Sequence, residues 1–146
     1  MGNAREVMDQ FTEALTGTGD SKARTIAECF ASDALAVTPD QGEIRGRENI
    51  VEYLLELVEA VPDATFESEY KHEAGNTAID EGFLSGTNTG PVVLPSGETL
   101  PATGKEVRLR GCDTATVEDG QIVSYRLYFD QMDFLGQLGL LPDLPS

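Results

Sequence analysis

The chain has 146 residues, 26 of them acidic and 10 basic, for a net charge of −16. That length suits one domain with its own core, and that charge argues against nucleic acid, whose phosphates demand a basic stripe. No apolar run approaches the roughly 18–20 residues of a membrane span, the polar N-terminus is not a secretory signal, and Cys29 and Cys112 sit in no CxxC pattern, so a reducing, cytoplasmic setting without a membrane partner is expected.

Val7, Phe11, Ala14 and Leu15 recur at helical spacing and predict an amphipathic first helix, closed by Gly17 and Gly19. Asp20 or Ser21 is placed to cap a second helix, whose apolar face reads Ala23, Ile26, Ala27, Phe30 and Ala34. The segment VTPDQGEIRG is turn-rich. A third helix carries Ile50, Tyr53, Leu54, Leu57, Val58 and Val61, and Pro62 ends it. From there the period changes from helix to strand. TFESEYKH alternates, Gly75-Asn76 is a turn, and Thr77 to Thr89 is a second strand. Residues 90–104, GPVVLPSGETLPATG, form a Gly/Pro-rich loop of unusual length for a compact domain. Strands three and four, Glu106 to Glu118 and Gln121 to Asp130, flank Asp119-Gly120, a strong hairpin signal. An amphipathic piece, Met132 to Leu138, leads to a Pro-bearing tail. Helices first and antiparallel strands second is an α+β segregation. No repeat or linker divides residues 1–146, so a single domain is expected.

The motifs of metal and nucleotide chemistry are absent from the sequence: it has no HExxH, no DxDxDG loop, no GxGxxG and no GxxxxGK[ST]. Neither a metal nor a cofactor is therefore expected. The candidates for chemistry lie on the strands. With a two-residue turn at Asp119-Gly120, Glu118 faces Gln121 and Val117 faces Ile122. Counting back, Asp113 faces Arg126. Alternation then places Asp113, Arg126, Tyr128 and Asp130 on one face with Leu109 and Gly111. Arg108, Arg110, Cys112, Thr114, Tyr125, Leu127 and Phe129 take the other. A slip of one residue would exchange the faces. His72, the lone imidazole, shares a face with Phe66, Ser68 and Tyr70. Opposite it stand Ile79, Glu81 and Phe83, so His72 is either half of an acid–base couple with Glu81 or a structural group.

FLSGTNTGPVVLPSGETLPATGKEV and VEDGQIVSYRLYFDQMDFLGQLGLLP resemble the SnoaL-like polyketide cyclases and their ester-cyclase relatives, within the nuclear transport factor 2-like superfamily. FASDALAVTPDQGEIRGRENIVEYL agrees, so the resemblance spans nearly the whole chain. It implies a cone-shaped α+β fold, with N-terminal helices packed on a curved, mostly antiparallel sheet that encloses a pocket. It also implies a small apolar or polyketide-like ligand and a homodimer through the outer sheet face.

Asp130 matches the acid/base aspartate of such cyclases, where one carboxyl in an apolar pocket removes a C–H proton and later protonates an alkoxide. Its structural alternative is a cap on the following helix. Asp113 matches the acid that holds the enolate oxygen in related ketosteroid isomerases, or it forms an ion pair with Arg126, which is itself then a candidate to stabilise an enolate. Thr38 stands where those isomerases keep their base, and a hydroxyl is no substitute, so that activity is disfavoured. The epoxide hydrolase arrangement is incomplete too, since AIDEGFLSG holds Asp80 and Glu81 without an arginine. Asn88, in GTNTG where many relatives have GTHTG, is a candidate hydrogen-bond donor to a ligand carbonyl. Tyr128 and Tyr53 are candidate pocket-wall residues, each with packing as its alternative. The expected function is a cofactor-independent cyclase, isomerase or lyase acting on an enolisable carbonyl compound. The alternative is a non-catalytic small-molecule-binding protein of the same fold.

Overall fold

The computed structural model describes residues 3–17 and 21–141. Gly19, Asp20 and the Pro-bearing tail, to which the sequence assigns a helix stop, a cap and a coil, lie outside these. Two helices open the chain, α1 (Asn3–Leu15) and α2 (Lys22–Glu28). A hairpin of β1 (Phe30–Thr38) and β2 (Gly42–Arg45) follows, then α3 (Arg47–Glu59). The second half carries β3 (Thr65–Ala74), β4 (Thr77–Thr87), a small β5 (Val92–Val93) and β6 (Thr99–Leu100), β7 (Glu106–Glu118), β8 (Gln121–Phe129) and α4 (Gln131–Gln137).

Six strands form one sheet in the order β2-β1-β8-β7-β4-β3, antiparallel except where β1 runs parallel to β8. The fold is α+β, with α1 and α3 on one face of this sheet. The first core cluster centres on Phe11, Phe30 and Tyr125, whose rings meet edge to face at centroid distances of 5.3, 5.1 and 6.0 Å. A second gathers Val61, Val107, Leu109, Phe134 and Leu138 at the far end of α3. Among the described residues, no helix is long and apolar enough to cross a membrane.

The expected second helix is too long. Phe30 and Ala34 belong to β1, not α2. A spacing of four is one helical turn, but it is also two pleats of a strand, so this pair fits either period. The flanking pattern decides for a strand, because Ala34, Ala36 and Thr38 are buried at every second residue. The turn-rich stretch after it closes the β1–β2 hairpin. Residues 90–104 are not structureless, for they fold back on themselves as β5 and β6.

Both tight turns use the predicted chemistry. Gly75 takes φ 60°, and Asp119 and Gly120 take φ 52° and 77°, the paired positive angles of a hairpin turn that follows strand twist. Beyond the second turn β8 carries one extra residue. Val117 opposes Ile122 and Thr116 opposes Ser124, so Val123 is unpaired. This β-bulge shifts the register. Asp113 opposes Leu127, and Arg126 opposes Thr114. The expected Asp113–Arg126 pair therefore does not form. A second bulge, at Glu69 between Ser68 and Tyr70, does the same to β3.

Candidate functional site

Helices α1, α3 and α4 close over the sheet around a cavity of about 90 Å³. Leu54, Leu57 and Val58 of α3 form one wall, Leu109, Leu127 and Phe129 of the sheet the other, and Phe134 of α4 a third. Thr12 and Thr16 of α1 also reach it. No lysine, arginine or histidine lines it among the described residues, and its ionisable lining groups are Cys112, Asp113 and Tyr125. The volume is below the roughly 300–1,000 Å³ of small-molecule sites.

Asp113 reaches the cavity because it lies mid-strand on the inward face of β7, alternating with Leu109, Gly111 and Ala115. Gly111, the next inward position, has no side chain to fill the space beside it. The Tyr125 hydroxyl, on the next strand, donates to Asp113 Oδ2 at 2.8 Å. Asp113 Oδ1 is shielded from solvent and has no hydrogen-bond partner. Burial pushes this carboxyl from 3.8 up to about 7, the Tyr125 hydrogen bond pulls it down, the Asp80 charge raises it, and the Arg5 charge lowers it. Tyr125 is fully buried, and burial together with the Asp113 charge pushes its phenol up, so it stays a donor. Burial and the neighbouring carboxylates likewise raise the Cys112 thiol, which makes it a poor nucleophile.

Behind Asp113 lies a group whose arrangement the sequence does not reveal. Asp80 on β4 is the direct cross-strand neighbour of Asp113 and is 1% exposed. Arg5 of α1 places Nη2 at 2.7 Å from its Oδ1 and 2.8 Å from its Oδ2, and only the second contact is aligned as a hydrogen bond. The sequence finds no arginine on the strand of Asp80. The fold supplies one from 75 residues away, and it does not line the cavity. The available signal was a charged residue between Ala78 and Gly82 at an inward position of β4. Nothing local points to Arg5.

The other expected site residues lie elsewhere. Asp130 is exposed and caps α4, accepting from the N–H groups of Met132 and Asp133 at 2.9 and 3.1 Å. The cap reading describes it, and it does not reach the cavity. The bulge turns Arg126 and Tyr128 to the outer face, where both are exposed, and brings Tyr125, Leu127 and Phe129 inward in their place. His72 is exposed and stacks on Tyr70 at 6.4 Å, because the Glu69 bulge separates both from the inward Phe66. Asn88 is fully buried with its amide saturated. It donates to Ala60 and Gly90 carbonyls and accepts from the N–H and hydroxyl of Thr103, so it ties the 90–104 loop to α3 rather than meeting a ligand. Thr38 is buried and accepts from the Gln41 N–H at 3.1 Å, closing the β1–β2 turn. Tyr53 donates to Asp40 at 2.7 Å and lines only a neighbouring space of about 20 Å³.

Helices folded over a mixed sheet, with one shielded carboxyl in an apolar hollow between them, define a pocket protein of the nuclear transport factor 2-like fold. A protein from Jannaschia sp. CCS1, classed with the SnoaL-like polyketide cyclases, superposes with a TM-score of 0.83 at 18% identity, over 96% of this chain and 94% of that one. A Catenulispora acidiphila protein with a ketosteroid isomerase-like fold, in complex with trimethylamine, gives 0.73 at 19% identity over 97% and 98%. TerC, co-crystallised with polyporic acid, gives 0.71 at 15% identity over 94% and 98%. The chain belongs to the SnoaL-like polyketide cyclase family, whose model matches residues 6–138. No protein of curated function matches it.

Proposed function

We propose that this protein is a cofactor-independent cyclase, isomerase or lyase in which Asp113 acts as both base and acid on a small enolisable carbonyl compound. The observation that carries this reading is that Asp113, whose shielded Oδ1 has no hydrogen-bond partner, is a lining residue of an apolar cavity. A carboxyl that titrates near neutrality exists in both forms at working pH, which suits a group that must accept and then return one proton. The ionised Oδ1 removes a proton from a C–H next to a carbonyl, leaving an enolate. After the new carbon–carbon bond forms, the protonated Oδ1 gives that proton to the resulting alkoxide. Tyr125 holds Oδ2 throughout, so the two steps use one oxygen. Among the described residues the cavity lining holds no cation to stabilise an enolate. The substrate therefore supplies its own delocalisation, as a 1,3-dicarbonyl or phenolic compound does. The small molecules bound by TerC and by the Catenulispora protein support a small-molecule occupant.

Deuterium exchange at the acidic carbon of an aromatic 1,3-diketone, followed by proton NMR in D2O, tests the reading. Exchange should exceed the buffer rate, rise with pH through about 7, and fall to the buffer rate in Asp113→Asn. A diketone that perturbs the protein spectrum but exchanges only at the buffer rate would leave the alternative, a non-catalytic binding protein. The same reading includes a homodimer through the outer sheet face. There the Arg108 and Arg110 guanidinium groups lie 3.5 and 4.5 Å from the Phe83 ring, beside exposed Tyr70 and Tyr128.

A further inference from the structure

We propose that Arg5 and Asp80 form a charge-compensated support for Asp113, which makes two residues that do not line the cavity positioning residues of the acid–base site. The inference rests on the reading of Asp113 as that acid and base. Its ground is a pairing that stability alone would not select. Asp80 and Asp113 stand directly opposite across β4 and β7, where side chains are about 5 Å apart and like charges destabilise a sheet. Asp80 is 1% exposed, and a buried ion pair is commonly no more stable than an apolar pair of the same volume. The adjacent pair on the same inward face, Ala78 and Ala115, is the apolar solution.

Asp80 stands at the inner end of a chain of ion pairs. Arg5 covers both of its oxygens, at 2.7 and 2.8 Å. The same guanidinium donates to Asp9 Oδ1 through Nε and Nη2, at 3.1 and 2.8 Å, and Lys71 of β3 lies 2.9 Å from that oxygen. Glu73 of β3 accepts from the Arg5 backbone N–H at 2.9 Å. Lys71, Asp9, Arg5 and Asp80 thus alternate in sign from the surface to the back of Asp113, and β8 presents to Asp113 the apolar Leu127 opposite it and the neutral Tyr125 hydroxyl. Arg5 and Asp80 carry opposite charges, and they act on Asp113 in opposite directions, Asp80 raising and Arg5 lowering its titration. The carboxyl in the cavity then feels chiefly its apolar walls. Without Arg5 the two carboxyls would share a proton, and Asp113 would no longer act alone.

The test follows the Asp113 titration by carbon NMR on protein labelled at aspartate carboxyls, with Asp113→Asn for assignment. Asp80→Asn removes the negative charge and leaves Arg5, so the midpoint should fall by about 1 pH unit. Arg5→Met leaves Asp80 bare, so the last proton of the pair should leave at higher pH than in the parent. Arg5→Lys keeps the charge and should leave the midpoint in place. The double variant, Arg5→Met with Asp80→Asn, should return the midpoint near the parent value. If Asp80→Asn does not fold, Arg5→Met against Arg5→Lys decides alone. Midpoints that stay within about 0.2 units in the folded single variants would reduce the pair to a clamp between α1 and β4. A parent midpoint near 4 would instead remove the acid–base reading of Asp113, whatever the variants show.

Discussion

Asp113 is raised by its surroundings, and that has a price in stability that can be signed. In the unfolded chain the carboxyl ionises near 3.8, and in the fold near 7. Below about pH 4 both states hold the proton and nothing is lost. Between the two values only the unfolded chain releases it, so stability falls as pH rises. Above about 7 the loss is complete, of the order of 4 kcal/mol. Asp113→Asn removes this dependence. Urea denaturation should show the variant close to the parent at pH 4 and more stable by a few kcal/mol at pH 8.5. Equal gaps at the two pH values would contradict the raised titration. The sequence marks Asp113 as a candidate but attaches the wrong partner. Counting back from Asp119-Gly120 is sound until the bulge at Val123. Nothing in GQIVSYRLYF announces that extra residue, so the sequence reading puts Arg126 on the face of Asp113 and Tyr125 on the opposite one. Arg5 is harder still, because the proximity of residues 5 and 80 is set by helix docking and leaves no mark on either segment.

Among the elements, α4 best separates a structural aspartate from a chemical one. It is short, and it is held at both ends. Asp130 satisfies two N–H groups at its start. Near its end the Gln137 side chain accepts from the Arg108 N–H at 2.8 Å and donates to the Arg108 carbonyl at 2.9 Å, pairing with β7 as a neighbouring strand would. Between these anchors Phe134 faces the cavity. Losing the cap should cost about 1 kcal/mol. Asp130→Ala should therefore lower stability by that amount in chemical denaturation and leave the Asp113 titration where it is. A displaced Asp113 midpoint in that variant would return Asp130 to the acid–base site. Helix α4 is legible in the sequence, as are α1, α3 and both hairpin turns, because each has a clear period or a glycine stop. The β1 strand is not, because Phe30 and Ala34 satisfy two periods at once and the contacts that decide between them come from β2 and β8.

At the scale of the whole molecule, the net charge of −16 sets the conditions under which two copies can meet. Like-charged protomers repel over about a Debye length, roughly 20 Å at 20 mM salt and 4–5 Å at 500 mM. The proposed outer-face dimer should therefore strengthen with salt. Sedimentation velocity should show a larger share of dimer at 500 mM than at 20 mM NaCl. A single 15.7 kDa species at both would end that proposal.

The Val123 bulge also acts as a change of reading frame. On one side of it β8 shows the outside world what it would otherwise show the cavity. The letters Tyr-Arg-Leu-Tyr-Phe hold two possible sites. One frame lines the hollow with a phenol, a leucine and a phenylalanine. The other would place a guanidinium and a second phenol there, and would pair the carboxyl with a permanent cation. The chemistry open to Asp113 is thus chosen by one unpaired residue that never touches the cavity, and the same strand without it would encode a different protein.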